Sequence, residues 1–317
     1  FAQCVDNNWN FAIYAQNPDV SIYQNEYNAG YVQGKVQTNA MILATRNNSW
    51  RNFLIGATPQ DALSIEVKPQ YLTVAAQAIV ENYNYLFAWV NQRKDDPKVQ
   101  KIIRLMFRQL GIYEGAVDAA PRKDVALADL ALTSMDAAQA VLGYGDTPLT
   151  FLDVVFINSQ YDLFDCLGDK LGLVMGYGTA HKSSSKERPD HCTAFTKMMP
   201  DGNVFWTHNS WCCFWAQSCA VTYVIGEDFV TQNANCPGQF GSNTDFGFNG
   251  HGIGFNETTE TYFYNESKTE GIWLTWRAAA AENFAKSIDE FYDYCRIDNT
   301  GTYLNAYMPV SYTHLRA

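Results

Sequence analysis

Apolar and polar residues alternate in two different rhythms along this chain, and the change between them divides it. Over residues 9–67 short apolar runs, Phe11-Ala-Ile-Tyr14, Ser21-Ile-Tyr23 and Ala40-Met-Ile-Leu-Ala44, predict strands separated by turns. Leu72, Ala76, Ile79, Tyr83, Leu86 and Val90 then recur at steps of three and four, one face of a helix. Asp96-Pro97 supplies an N-cap and first-turn pair for a second helix. Its apolar stripe is Val99, Ile102, Ile103, Met106 and Leu110, with Gly111 as the expected stop. Helical spacing resumes over 124–142 and 148–168. Residues 179–190 hold Lys-Ser-Ser-Ser-Lys-Glu-Arg-Pro, polar and aperiodic, and predict an exposed loop.

Beyond that loop the composition turns aromatic, β-branched and turn-rich, so residues 192–265 predict strands. One more helix is expected from Gly271, with Trp273, Trp276, Ala280, Phe284, Ile288 and Phe291 on a single face, followed by a strand over 302–308. Helices, then strands, then helix and strand define an α+β fold. The length of 317 residues suits one large domain or two intimate layers. The expected division is a largely helical part, 1–191, ending in the loop at about 179–190, and a strand-rich part, 192–308.

Chemistry concentrates in the first predicted hairpin. Pro200-Asp201-Gly202-Asn203 separates two apolar runs, and Asp-Gly in that setting is a strong turn signal. Cys192 starts one strand and His208-Asn209-Ser210-Trp211 ends the other, so folding brings a thiol, an imidazole and a carboxamide close together. An even two-residue turn would pair Phe195 with His208 and leave Asn209 on the Cys192 face; one extra residue would bring His208 there instead. The sequence leaves both registers open. Trp211 is the best pocket candidate among the tryptophans, and Asp245 either supports the site electrostatically or caps a turn. Gly250-His-Gly-Ile-Gly254 lacks the strand-before, helix-after context of a phosphate loop and reads as a turn.

Cys192-Thr-Ala and Trp206-Thr-His-Asn-Ser-Trp211 resemble motifs of the phospholipase B-like family, a branch of the N-terminal-nucleophile hydrolases. Ala29-Gly-Tyr-Val-Gln-Gly34, Phe240-Gly-Ser242 with Thr244-Asp-Phe246, Glu257-Thr-Thr259 and Asn299-Thr-Gly-Thr-Tyr-Leu-Asn305 resemble other family blocks in the same order. Leu304 departs from the usual Asn there. The resemblance implies an αββα sandwich, incomplete at the C-terminus. It also implies autocatalytic cleavage between His191 and Cys192, after which Cys192 supplies nucleophile and base through its thiol and new α-amino group. His208 and Asn305 match family active-site positions, and Asn305 is assigned to the oxyanion hole or to substrate polarisation. The implied activity is removal of acyl chains from phospholipids, with no cofactor. The alternatives are an N-acyl amidase and a non-catalytic lysosomal or secreted glycoprotein; the partner would be a lipid or an acylated small molecule.

The formal net charge of −11 argues against nucleic acid and anionic membranes as bulk partners. No apolar run is long enough for a transmembrane helix, and no signal peptide opens the chain at Phe1. The eight cysteines fit no common zinc spacing, so no metal site is expected. Asn47, Asn256 and Asn265 head glycosylation sequons, which with the resemblance favour a lysosomal or secreted location. Pro309-Val-Ser-Tyr-Thr-His-Leu-Arg-Ala317 matches no family segment at this level and resembles a translated adapter sequence. Residues 309–317 are therefore expected to be a non-native tail that packs poorly.

Overall fold

The computed structural model describes residues 2–5, 9–55, 67–132, 140–167, 192–209, 219–225, 228–241, 246–259, 270–303 and 305–312. They form an α+β fold. The helices are α1 (Ile22–Gln37), α2 (Asn39–Ile55), α3 (Pro69–Gln92), α4 (Pro97–Ala116), α5 (Phe151–Leu167), α6 (Leu274–Phe284) and α7 (Ile288–Arg296). The strands are β1 (Ala2–Val5), β2 (Trp9–Ala15), β3 (Thr193–Met198), β4 (Val204–Asn209), β5 (Cys219–Ile225), β6 (Asp228–Asn235), β7 (Phe246–Asn249), β8 (Ile253–Thr259) and β9 (Asn305–Ser311). One sheet runs β1-β2-β5-β6-β7-β8-β9 and the hairpin β3-β4 stands apart from it. Among the described strands only β2 and β5 pair in parallel, and the other neighbours are antiparallel.

Two predicted strands are helical instead. Ser21 is the N-cap of α1, its hydroxyl accepting from the Gln24 amide, and residues 40–44 lie inside α2. The reason is that α1 is buried through polar residues and glycines, so no apolar period marks it. Gln24, Asn25, Glu26, Gln33 and Gln37 are all buried in it. Most of these polar groups are hydrogen-bonded: Gln33 donates to the distant Gln239 carbonyl and Gln24 to that of Arg122, while Asn25 donates to the nearby carbonyls of Asn17, Val20 and Ser21.

Helix α1 lies directly on α4. A Cβ on Gly30 or Gly34 would overlap the carbonyl oxygens of Arg108 or Ile112, and one on Gly111 or Gly115 would overlap those of Tyr27 or Tyr31. Gly111 is therefore no helix stop; it is a contact point, and α4 continues to Ala116. The start of α4 is as the sequence implies, with the Asp96 carboxylate accepting from the Lys98 amide. Glu26 completes the joint, accepting from Arg104 Nε at 2.7 Å and from Arg108 Nη2 at 2.7 Å, while Arg108 Nη1 donates to Asn283 of α6.

Helix α5 begins with a reciprocal cap: Asp153 accepts from the Thr150 amide and Thr150 from the Asp153 amide. Asp153 also holds Arg46 of α2 in a fully buried ion pair at 3.1 Å. Ser159 bends α5, its hydroxyl donating back to the Val155 carbonyl. Over 124–142 the expected helix is reduced, among the described residues, to one 3-10 turn, Leu127–Leu130. The single helix expected after Gly271 is two. Ser287 accepts from the Glu290 amide and Glu290 accepts from the Lys286 amide, which starts α7 afresh.

Helix α6 packs on β6, β7 and β8, and α7 on β9. Hairpin β3-β4 lies against the opposite face of β7–β9: Trp206 meets Phe246 with ring centroids 4.3 Å apart, and Thr196 reaches Met308. The expectation of a poorly packed tail does not hold for its first part. Pro309, Val310 and Ser311 continue β9 opposite Phe255, Gly254 and Ile253, and the Tyr312 amide donates to the Gly252 carbonyl. Pro309 is tolerated because β9 is an edge strand among the described residues. Residues 313–317 lie outside the described residues.

Candidate active site

The hairpin register puts His208, and not Asn209, on the half-buried face of the hairpin. The loop between β3 and β4 has three residues, Pro200-Asp201-Gly202: the Met199 amide donates to the Asn203 carbonyl and the Gly202 amide to the Met199 carbonyl. Gly202 takes φ +81°, the left-handed position that closes three-residue hairpins. Ala194 consequently pairs with His208, and Thr193 with Asn209. Side chains alternate, so Cys192, Ala194 and His208 share the inner face, while Asn209 is exposed on the outer face. The turn sequence was correctly located, but its length, which sets the register, was not legible.

The inner face meets β8. His208 Nε2 lies 2.7 Å from the Glu257 carbonyl oxygen, and Asn256 Nδ2 donates to the Thr207 carbonyl at 3.4 Å. A carbonyl only accepts, so Nε2 carries the proton and Nδ1 presents a lone pair. Burial lowers the imidazole pKa below its ordinary value, and the bond to Glu257 only partly offsets this. Cys192 is half-buried just before β3.

Asn305 opens β9 opposite Thr259, two residues from the Tyr307–Glu257 pair. Tyr307 turns toward Phe291 of α7, with centroids 5.7 Å apart, whereas Met308 turns to the hairpin. Alternation puts Asn305 with Tyr307, on the sheet face away from Cys192 and His208. Both polar atoms of its carboxamide are buried and without a hydrogen-bond partner among the described residues. His191, Trp211, Asp245 and the sequon residue Asn265 lie outside the described residues, as does the loop at 179–190. Asn47 sits within α2 and exchanges two hydrogen bonds with the backbone of Gly145, and Asn256 is fully buried under the hairpin. In the folded chain the Asn256 carboxamide is not presented to solvent, whereas Asn47 is half-buried.

On the other face a polar cleft lies between α5, α6 and the approach to β9, lined by Asp162, Glu282, Tyr303 and Tyr307 among others. Asp162 accepts from the Leu274 and Thr275 amides, capping α6 from another helix. Burial pushes its carboxyl above the ordinary range. Asp165 accepts from the Tyr303 amide, and burial, with Asp162 nearby, pushes its pKa up to about 6. Among the described residues no group of His, Cys, Asp and Glu is arranged to hold a metal ion, and no helix is long and apolar enough to cross a membrane.

A mixed α+β fold with a thiol and an imidazole on one hairpin face is compatible with a cysteine-dependent hydrolase. The family profile described as Phospholipase B matches residues 3–317, and the chain belongs to that family. It is 24% identical over 242 residues to a "Phospholipase B" from Crotalus adamanteus, covering 69% of this chain and 39% of that protein. It is 23% identical over 308 residues to "Phospholipase-B 81" from Drysdalia coronoides, covering 89% and 51% respectively. The chain thus spans about half the length, or less, of these curated relatives. Family membership makes it a relative of phospholipase B-like hydrolases, and the matched region includes residues 309–317.

Proposed function

We propose that the chain is the nucleophile-bearing part of an acyl hydrolase that releases fatty acids from phospholipids. The observation that supports this reading is the hairpin register, which pairs His208 with Ala194, two residues from Cys192. Cleavage between His191 and Cys192 would free an α-amino group, which titrates near ~7.7–8.0 and can take the thiol proton at neutral pH. The thiolate adds to the acyl carbonyl, the alcohol leaves with a proton, and water hydrolyses the thioester to restore the thiol. His208 Nδ1 is the acceptor for a proton moving at this face. Asn305 enters as a supporting carboxamide, and a substrate touching both it and Cys192 must pass around the start of β9.

In this proposal Trp211 lines the acyl pocket and Asp245 supports the site. The hairpin begins the second sheet of an αββα sandwich whose outer layer would cover the exposed Phe195 and Phe205. The proposed setting is lysosomal or secreted, with Asn265 the preferred glycan site. Mass spectrometry of the purified protein tests the reading. A fragment beginning at Cys192, lost in Cys192→Ala, and an acyl adduct on its sulfur after incubation with phospholipid are expected. Cleavage persisting in Cys192→Ala would overturn autocatalysis, and no adduct would overturn the hydrolase.

A further inference from the structure

The strand that carries Asn305 starts from a strained residue. Tyr303, two positions earlier, has φ +41°, in the left-handed region that a bulky side chain rarely occupies. Such a conformation persists only where its surroundings over-determine it. Side chains near the end of α5 do so here. The Asp165 carboxylate accepts from the Tyr303 amide, and the Tyr161 ring stacks on the Tyr303 ring, with centroids 4.7 Å apart and planes 17° from parallel. Tyr161 and Asp165 stand four residues apart in the helix and so lie on one face. Asp162, beside them, accepts from the hydroxyl of Thr302, which is fully buried. The same Asp162 carboxylate holds the Leu274 and Thr275 amides, so the segment before β9 is tied to the joint of α5 and α6.

Two costs would be relieved if this segment let go. One is the Tyr303 backbone. The other is the Asn305 carboxamide, whose polar atoms are buried without a hydrogen-bond partner among the described residues. Asn305 also stands at the end of its ladder: pairing with β8 runs from Ser311 opposite Ile253 to Asn305 opposite Thr259, the last described pair. A terminal pair frays unless something ties it down. The sheet therefore fixes Asn305 from one side, and α5, through Tyr303, fixes it from the other. We propose that Asp165 is a positioning residue for Asn305, holding the start of β9 so that the carboxamide is in place before a substrate arrives. The proposal rests on the acyl-hydrolase reading, in which Asn305 supports the acyl carbonyl, and a donor fixed in advance needs no reorganisation during the reaction.

Two measurements on the purified chain test this, both by mass spectrometry. One is backbone hydrogen exchange of the peptide covering 303–307; the other is the rate at which a short-chain diacyl phosphatidylcholine acylates Cys192. Asp165→Ala removes the acceptor and should speed the exchange and slow the acylation, each by roughly tenfold. Asp165→Asn keeps an acceptor for the Tyr303 amide and should preserve both natural rates. In an Asn305→Ala background Asp165→Ala should slow acylation no further, because its effect passes through Asn305. A core change elsewhere, Ile103→Val in α4, should leave the acylation rate as it is. Circular dichroism establishes that each variant is folded. If Asp165→Ala is not, Tyr161→Leu takes its place, since it removes the stacked ring and should shift both rates in the same directions. Unchanged exchange in the folded variant, an asparagine variant as impaired as the alanine one, or a full further loss in the Asn305→Ala background would overturn the positioning role. Exchange that responds as expected in a chain that never forms the adduct would remove the hydrolase reading and leave the anchor on β9 standing.

Discussion

The His208 imidazole is fixed by the main chain of Glu257, with Nε2 2.7 Å from its carbonyl oxygen. The tautomer is thus set by a main-chain carbonyl whose place follows from strand geometry. A carboxylate in that place would raise the pKa of the ring and favour the imidazolium. A carbonyl in a half-buried layer leaves the ring neutral and its Nδ1 basic.

The first prediction concerns that neutrality. The folded pKa of His208 lies below its ordinary value because burial penalises the charged ring. The unfolded state therefore binds the proton first as pH falls. Stability contributed by the neutral ring is present above the unfolded pKa, near ~6.5, and is lost as pH drops through the lower folded value. Nitrogen-detected NMR should find the Nε2–H tautomer with a midpoint below that of a model peptide. His208→Gln should flatten the dependence of stability on pH in this window; a midpoint at or above ~6.5 would contradict the assignment.

Asp165 shows the opposite sign. Its folded pKa is raised from 3.8 to about 6 by burial, with Asp162 adding to the rise. Stability from the protonated carboxyl is complete below the unfolded pKa and is lost as pH rises through about 6. Asp165→Asn keeps an acceptor for the Tyr303 amide and removes the buried charge. The variant should be more stable than the natural chain at pH 7, by up to roughly 2–3 kcal/mol, and nearly equal to it at pH 4. Chemical denaturation at the two pH values decides.

Much of the fold was legible where burial follows apolar periodicity. Helix α3 presents Ala76, Ile79, Tyr83, Leu86 and Val90 to the core, as their spacing implies. Helix α1 was not legible, because its buried face is glycine, glutamine, asparagine and glutamate, satisfied by partners far along the chain. The α6–α7 break carried a readable signal, Ser287 three residues before Glu290, which the continuous apolar stripe masked. For the site, the sequence located the hairpin and the resemblance picked out Cys192, but facing depended on one loop residue. Asn256 stood only as a sequon, since its burial under the hairpin is a tertiary fact.

The contact between α1 and α4 should tolerate no side chain. In either Gly30→Ala or Gly111→Ala the new methyl meets a backbone carbonyl of the other helix, which cannot rotate away. Each should destabilise by at least about 3 kcal/mol, toward the upper end of overpacking costs. Gly145→Ala serves as the control, since nothing lies within 4 Å of its added Cβ and only its φ of +65° opposes it, at about 1 kcal/mol. Thermal or urea unfolding of the three variants checks the ranking. A Gly30 variant as mild as the Gly145 one would mean that the helices can separate at little cost.

The last prediction addresses the charges that the same joint buries. Glu26 is fully buried between Arg104 and Arg108, and Arg104 also reaches Asp228, which Lys101 and His251 contact as well. Burial alone would raise the Asp228 pKa, but Arg104 and its neighbours hold the carboxyl well below its ordinary range. Arg104 thus has a second carboxylate, while Arg108 is held by Glu26 and the neutral Asn283. Glu26→Gln should cost about 3–5 kcal/mol, because it removes the carboxylate that two buried guanidinium groups share. Replacing both partners, Glu26→Gln with Arg108→Met, should recover a large part of that loss, since the expense lies in the unpaired charge and not in the missing pair. Arg104→Met in the Glu26→Gln background should recover less, because Asp228 would lose its closest cation. Equal recovery in the two double variants would show that Glu26 serves both arginines alike.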